Sequence, residues 1–193
     1  MNCRIAFLVF LAFNVVATAS VDSCLAKLRP NVTIGEKDLL DVSERWSEMR
    51  RIVDAEREIF LRNAGYADST GAIPSKIRVD EIAGCTVEGE SDTLEIRLFR
   101  VVGIEGTKDE NVYVVTTSKQ NIIARSLIAS LQATCESTFL RACTMEEDGS
   151  IRVGQLRHDF DCEKDEFLRT EPLPGLTIRV RDDGTISETV EGE

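Results

Sequence analysis

The chain has 193 residues, is 42% hydrophobic but only 6% aromatic, and carries a formal net charge of −11. This length supports one domain with its own core, and the apolar content excludes a disordered chain. The acidity disfavours nucleic acid and anionic membranes as partners.

Residues 1–19 have the three-part layout of a signal peptide: Arg4, the apolar run Ile5 to Phe13, then Ala17 and Ala19 at the two small positions of a peptidase site. The apolar run falls short of the about 20 residues a spanning helix needs. The expectation is a secreted, extracellular domain over 20–193 with no membrane span, divisible into sub-halves 33–117 and 118–193. Losing Arg4 and no acid takes the net charge from −11 to −12.

Cys3 leaves with that segment, so Cys24, Cys85, Cys135, Cys143 and Cys162 remain in an oxidising compartment. The odd number implies one thiol that is either buried or joined to a second chain. The sequon Asn31-Val-Thr33 marks Asn31 as a glycosylation site.

Thr33 and Glu36 have the spacing of a capping box, and Leu39, Val42, Trp46, Met49, Val53 and Phe60 recur at helical intervals. A long helix is expected here, ending near Asn63-Ala-Gly65. From Ala72 the pattern alternates, giving strands over 76–87, 93–104 and 111–117 in an antiparallel meander. Read literally, the alternation exposes Arg78, Asp80, Glu95 and Arg97 on one face.

A second helix is expected over 118–134, with Thr117 and Gln120 as its capping pair and Ile123, Leu127, Ile128 and Leu131 on one side. Two hairpins follow, turning at Glu147-Asp-Gly149 and Asp182-Asp-Gly184, where a three-residue loop ends in glycine. Their registers set Met145 opposite Ile151, Cys143 opposite Val153, Val180 opposite Ile186 and Leu176 opposite Val190. The first register brings Cys135 one residue short of Cys162, a gap that a bulge near Gly154 would correct.

Cys135 therefore pairs with Cys162. Cys135 and Cys143 are too far apart along the chain, about 12 Å in a helix or about 26 Å in a strand against a limit near 7 Å. That leaves Cys24 with Cys85, and Cys143 as the odd thiol, available for a disulfide-linked dimer.

The fold class expected is α+β: two main helices packed on antiparallel sheet, a meander plus two hairpins, stabilised by disulfides. The order of elements is similar to that of cystatin-like folds, an analogy of arrangement only. The inhibitory pattern Gln-x-Val-x-Gly is absent; the nearest stretch, Phe99-Arg-Val-Val-Gly103, lacks the Gln.

Chemistry is sparse. His158 is the single histidine, which removes zinc sites built on several imidazoles. A Cys143 and His158 pair with Asp159 or Asp161 as orienter is disfavoured because His158 lies past the position opposite Cys143. The run Asp159 to Glu166 reads as a solvated connection and not a calcium loop. Glycine-rich phosphate loops and nucleophile elbows are missing.

No metal or cofactor is expected. The reading by elimination is a non-catalytic binding or effector protein whose partner is an extracellular protein or a small apolar ligand. For the ligand, Trp46, Met49, Phe60 and Leu98 are the lining candidates. The alternatives are a cystatin-like protease inhibitor and a hydrolase of unfamiliar type, which requires paired titratable groups with shifted pKa values in a pocket.

Overall fold

A computed structural model describes residues 20–28, 30, 32–34, 40–42, 50–52, 54–73, 75–88, 92–103, 110–119, 121–164 and 166–192. Within them are eleven strands and two short helices. The protein is therefore β-rich, which corrects the α+β expectation of two main helices laid on a sheet.

The chain runs through α1 (Val21–Leu28), β1 (Val32–Ile34), β2 (Leu40–Val42), β3 (Arg50–Ile52), α2 (Asp54–Asn63), β4 (Arg78–Glu88), β5 (Thr93–Val102), β6 (Glu110–Ser118), β7 (Asn121–Ala133), β8 (Ser137–Met145), β9 (Ile151–Asp161), β10 (Glu166–Val180) and β11 (Ile186–Val190). From β3 to β11 every strand pairs antiparallel with its predecessor. β1 and β2 form a small hairpin that docks on β8 where Val32 meets Cys143.

β7 is the corner. Its first part pairs with β6 and its last residues, Ser130 to Ala133, pair with β8. β3 to β7 thus form one layer and β7 to β11 a second. The second folds back over the first: Ser126 on β7 donates to Glu188 on β11 at 2.7 Å, and the Thr116 hydroxyl donates to the Gly184 carbonyl at 2.6 Å.

Between the layers lies the larger core. It takes Ile82, Leu94, Ile96, Leu98, Val112 and Val114 from one layer, and Leu140, Cys143, Ile151, Val153, Ile178 and Val180 from the other. α1 contributes Val21, Cys24, Leu25 and Leu28, an i, i+3, i+4, i+7 stripe that faces inward. Ser20 caps this helix through its hydroxyl, which accepts from the Ser23 N–H at 3.2 Å. Each fully buried Leu or Ile of this core contributes about 1.5–3 kcal/mol.

The outer face of the first layer carries a second, smaller core under α2: Ile52, Phe60, Leu61, Ile77, Val79, Phe99, Val101 and Val115. Alternation divides the two cores strictly on β6, where Val112 and Val114 face inward and Tyr113 and Val115 face α2. On β4 a bulge between Glu81 and Ala83 switches the phase, so that Val79 faces α2 while Ala83 and Cys85 face inward.

The predicted helix over 118–134 is β7. Ser118 pairs directly with Asn121, and Lys119 takes a φ of +48° in the tight reversal between them. Ile123, Leu127, Ile128 and Leu131 satisfy helical spacing, but β6 and β8 supply ladder partners on either side of the stretch. Ile128 to Leu131 are buried consecutively, so burial there carries no period at all. The long first helix is likewise corrected: among the described residues of that stretch Leu40–Val42 and Arg50–Ile52 are strands, Asp54–Asn63 is the helical part, and Thr33, expected to cap the helix, pairs with Asp41. Strand pairing across the molecule overrides local spacing in both places.

Other expectations match the structure. α2 ends at Asn63 and Gly65 takes a φ of +79°. The strands over 76–87, 93–104 and 111–117 correspond to β4, β5 and β6. Met145 faces Ile151, Cys143 faces Val153, Val180 faces Ile186 and Leu176 faces Val190.

The ladder passes Gly154 opposite Ala142 with no shift, so the bulge expected there is absent. A disulfide nevertheless joins Cys135 to Cys162, just past the ladder's end, and another joins Cys24 to Cys85, fixing α1 to β4.

Candidate functional site

α2 lies along the outer face of the first layer without covering it. A groove of about 440 Å³ remains between the helix and β5 to β7. Its floor and walls are Ile52, Phe60, Phe99 and Ile122, with Ile59 on the lip at 58% exposure. The rings of Phe60 and Phe99 meet at 4.6 Å between centroids, tilted at 45°. Helical spacing turns Phe60 toward the sheet and leaves Ile59 facing outward. Strand alternation puts Phe99 on the same face as Glu95 and Arg97.

The rim is ionic. Arg97 reaches Glu95 at 2.7 Å and Glu56 at 3.6 Å, while Arg50 contacts Glu56 at 2.9 Å and Glu81 at 2.5 Å. Thr117 donates its hydroxyl proton to Glu95 at 3.2 Å. Hydrogen bonding from Arg50 holds the Glu56 carboxyl below its ordinary range, and the same bonds raise the Arg50 guanidinium. The rim thus offers hydrogen bonds and charge to a polar group at the edge of the groove.

Carboxyl shifts elsewhere have the same sign. Asp68, Asp148, Asp159, Asp161 and Asp183 are all held low, chiefly by hydrogen bonds from hydroxyl or cationic side chains. A general acid needs the opposite shift.

Of the two lining candidates among the described residues, Phe60 is in the groove and Leu98 is not. Leu98 points to the opposite face and is fully buried in the inner core. Trp46 and Met49 lie outside the described residues, as does Asn31. Ile52, Ile59, Ile122, Arg50, Glu56 and Glu81 were not singled out by sequence reasoning, and Phe99 was named only within the stretch compared with the inhibitory pattern. The parity of β5, which separates Phe99 from its neighbour Leu98, is the signal that bears on them. Of the face expected to be exposed, Glu95 and Arg97 are on the groove, whereas Asp80 is buried and paired with Arg78 at 2.8 Å.

Cys143 is 1% exposed within the inner core, and burial pushes its thiol up to about 12. A disulfide-linked dimer through Cys143 is thereby corrected: the sulfur cannot reach a second chain while the fold is intact, and both disulfides are intramolecular. His158 pairs with Thr138, whereas Cys143 faces Val153. Five strand residues, about 17 Å, separate the two positions. The imidazole instead meets the Thr170 hydroxyl at 2.7 Å through Nδ1.

In the run 159–166, Asp159 binds Arg157 at 2.6 Å and Arg169 at 2.8 Å, and Asp161 binds Lys164 at 3.0 Å. Among the described residues no group of three or more His, Cys, Asp or Glu side chains converges to hold a metal. No helix among them is long and apolar enough to cross a membrane. The cystatin-like analogy fails on arrangement, because neither long helix is present among the described residues, and residues 99–102 of its nearest loop stretch lie within β5.

Compared with known proteins, the chain matches no family model, no curated relative and no solved structure.

Proposed function

We propose that this chain is a secreted, non-catalytic binding protein that holds a small apolar ligand in the groove beside α2. The observation that carries the reading is an aromatic floor, Phe60 against Phe99, bordered by the exposed Ile59 and an ionised rim. A groove of about 440 Å³ lies within the range of small-molecule sites, and an apolar lining with a few charged groups is their usual chemistry. The apolar body of the ligand lies on the two rings, and Arg97 or Glu56 orients its polar end. The two intramolecular disulfides support an oxidising destination.

Titration with the neutral dye Nile red tests the reading. The expected result is saturable fluorescence that Ile59→Asp weakens at least tenfold, because a carboxylate on the lip must be desolvated by an apolar occupant. Leu168→Asp, at a 59% exposed position on β10, is the control and leaves binding unchanged. Absence of saturable binding, or equal effects of the two variants, overturns the groove as the site. Secretion is checked separately by N-terminal sequencing of protein recovered from the medium, with a start at Ser20 expected.

A further inference from the structure

On the side of α2 away from the groove, β3, α2 and the start of β4 frame a second hollow, of about 690 Å³. Among the described residues its lining holds Arg51, Arg57, Lys76 and Arg78 and one acid, Glu58. Glu58 is already engaged, accepting from Arg62 at 3.0 Å. Arg78 is paired with Asp80 at 2.8 Å; with Arg51, Arg57 and Lys76 the described lining still carries more cations than anions, a local inversion in a chain whose net charge is −11.

The hollow has an organised wall. Arg57 donates through Nε to the Ile77 carbonyl at 2.7 Å and through a terminal nitrogen to the Ser75 carbonyl at 3.4 Å, which fixes its guanidinium. Arg78 uses Nε on Asp80, setting the plane of its fork. Arg51 and Lys76 stand exposed at the mouth. Charges on an edge strand discourage pairing with other chains, and Arg51 on β3 serves that end. Arg57 comes from a helix and Lys76 from the turn before β4, where edge protection asks for no cation. Their convergence therefore needs another reason.

We propose that this hollow binds a compact, multiply sulfated or phosphorylated small molecule. Tetrahedral oxyanions match the donor forks of arginine and the point charge of lysine. The acidic remainder of the surface sets the size limit: an extended polyanion or a flat anionic bilayer meets negative charge beyond the rim, whereas a ligand confined to the hollow does not. The site is separate from the apolar groove, and neither depends on the other.

Calorimetric titration of the full mature chain with sucrose octasulfate and with inositol hexakisphosphate tests it, in about 50 mM and about 200 mM NaCl. Binding of the first probe alone identifies sulfate as the chemistry, binding of the second alone identifies phosphate, and binding of both identifies the shared oxyanion. The double variant Arg51→Ala, Lys76→Ala is expected to weaken binding at least tenfold and to keep the wild-type circular dichroism spectrum, since both side chains are exposed. Lys27→Ala with Lys164→Ala removes the same charge at two other exposed positions and is expected to change affinity less than twofold. Failure of both probes to bind, equal losses from the two double variants, or binding of full-length heparin but of neither compact probe overturns the proposal.

Discussion

Replacing Gly184 with alanine should destabilise the protein more than the same change at any other turn glycine. Gly184 sits at φ +81°, and a Cβ built there falls 2.7 Å from Cδ1 of Leu94 and 2.8 Å from Cδ1 of Ile123. Both neighbours belong to the opposite layer, on β5 and β7, and Leu94 is part of the inner core. The left-handed backbone costs about 1–2 kcal/mol for a residue with a Cβ, and crowding a packed contact adds about 1–3 kcal/mol. A total of about 2–5 kcal/mol is expected. With a urea slope of about 2 kcal/mol/M, the unfolding midpoint falls by about 1–2.5 M.

Two reference variants separate the contributions. Gly192 has φ +100° and open space where a Cβ would go, so Gly192→Ala reports the backbone cost alone. Gly149 has φ +78°, but its near neighbour is the carboxylate end of Asp22, a flexible side chain that can swing away. The order of destabilisation should be Gly184 largest, with Gly149 and Gly192 together below it. If Gly184→Ala costs no more than Gly192→Ala, the β10–β11 turn does not pack on the first layer and the closure described here is wrong.

Further outcomes follow from the same contacts. Cys143 should resist a thiol reagent in the native protein and react as one equivalent per chain after unfolding in denaturant without reductant, and a non-reducing gel should show monomer. Asp148, whose carboxyl accepts from the Ser150 hydroxyl and N–H and from Arg179, is held to about 2 in the folded state, below its unfolded value near 4. A depressed folded pKa contributes stability above the unfolded value and loses it as pH falls through the folded one. Asp148→Asn should therefore flatten the loss of urea resistance between about pH 4 and about pH 2, and an unchanged slope would show that this turn does not report on acid stability.

What was legible in the sequence was local. The registers of β8 with β9 and of β10 with β11 follow from Asp-Gly turns a few residues from the pairs they set, and β4 to β6 announce themselves by alternation. β7 was not legible because Ile123, Leu127, Ile128 and Leu131 fit helical spacing while its own burial, consecutive from Ile128 to Leu131, follows no strand alternation. What decides between helix and strand is distant: β6 and β8 offer ladder partners, and Glu188 waits across the layers for Ser126.

The groove was half legible for a similar reason. Phe60 was recognisable as an inward residue of a helix, but its partner is Phe99 and not the adjacent Leu98. Only the strand phase, reset on β4 by its bulge, determines which of these neighbours faces α2. The basic hollow was invisible in linear order, because Arg51, Arg57, Lys76 and Arg78 are scattered among acids along the chain and separate from them only in space.

The sequential order of the strands also bears on how the chain acquires its shape when it emerges N-terminus first. Each strand from β4 onward finds its ladder partner in the segment made immediately before it, so assembly proceeds by short loop closures, which are the fast ones. Besides the pairing of β1 with β8 and the Cys24–Cys85 disulfide, long separations are spanned by Thr116 with Gly184 at 68 residues and Ser126 with Glu188 at 62. Both await the last hairpin. Until β10 and β11 are made, the inner core lacks Ile178 and Val180, and a chain cut short before residue 176 should be an aggregation-prone intermediate in place of a smaller stable protein.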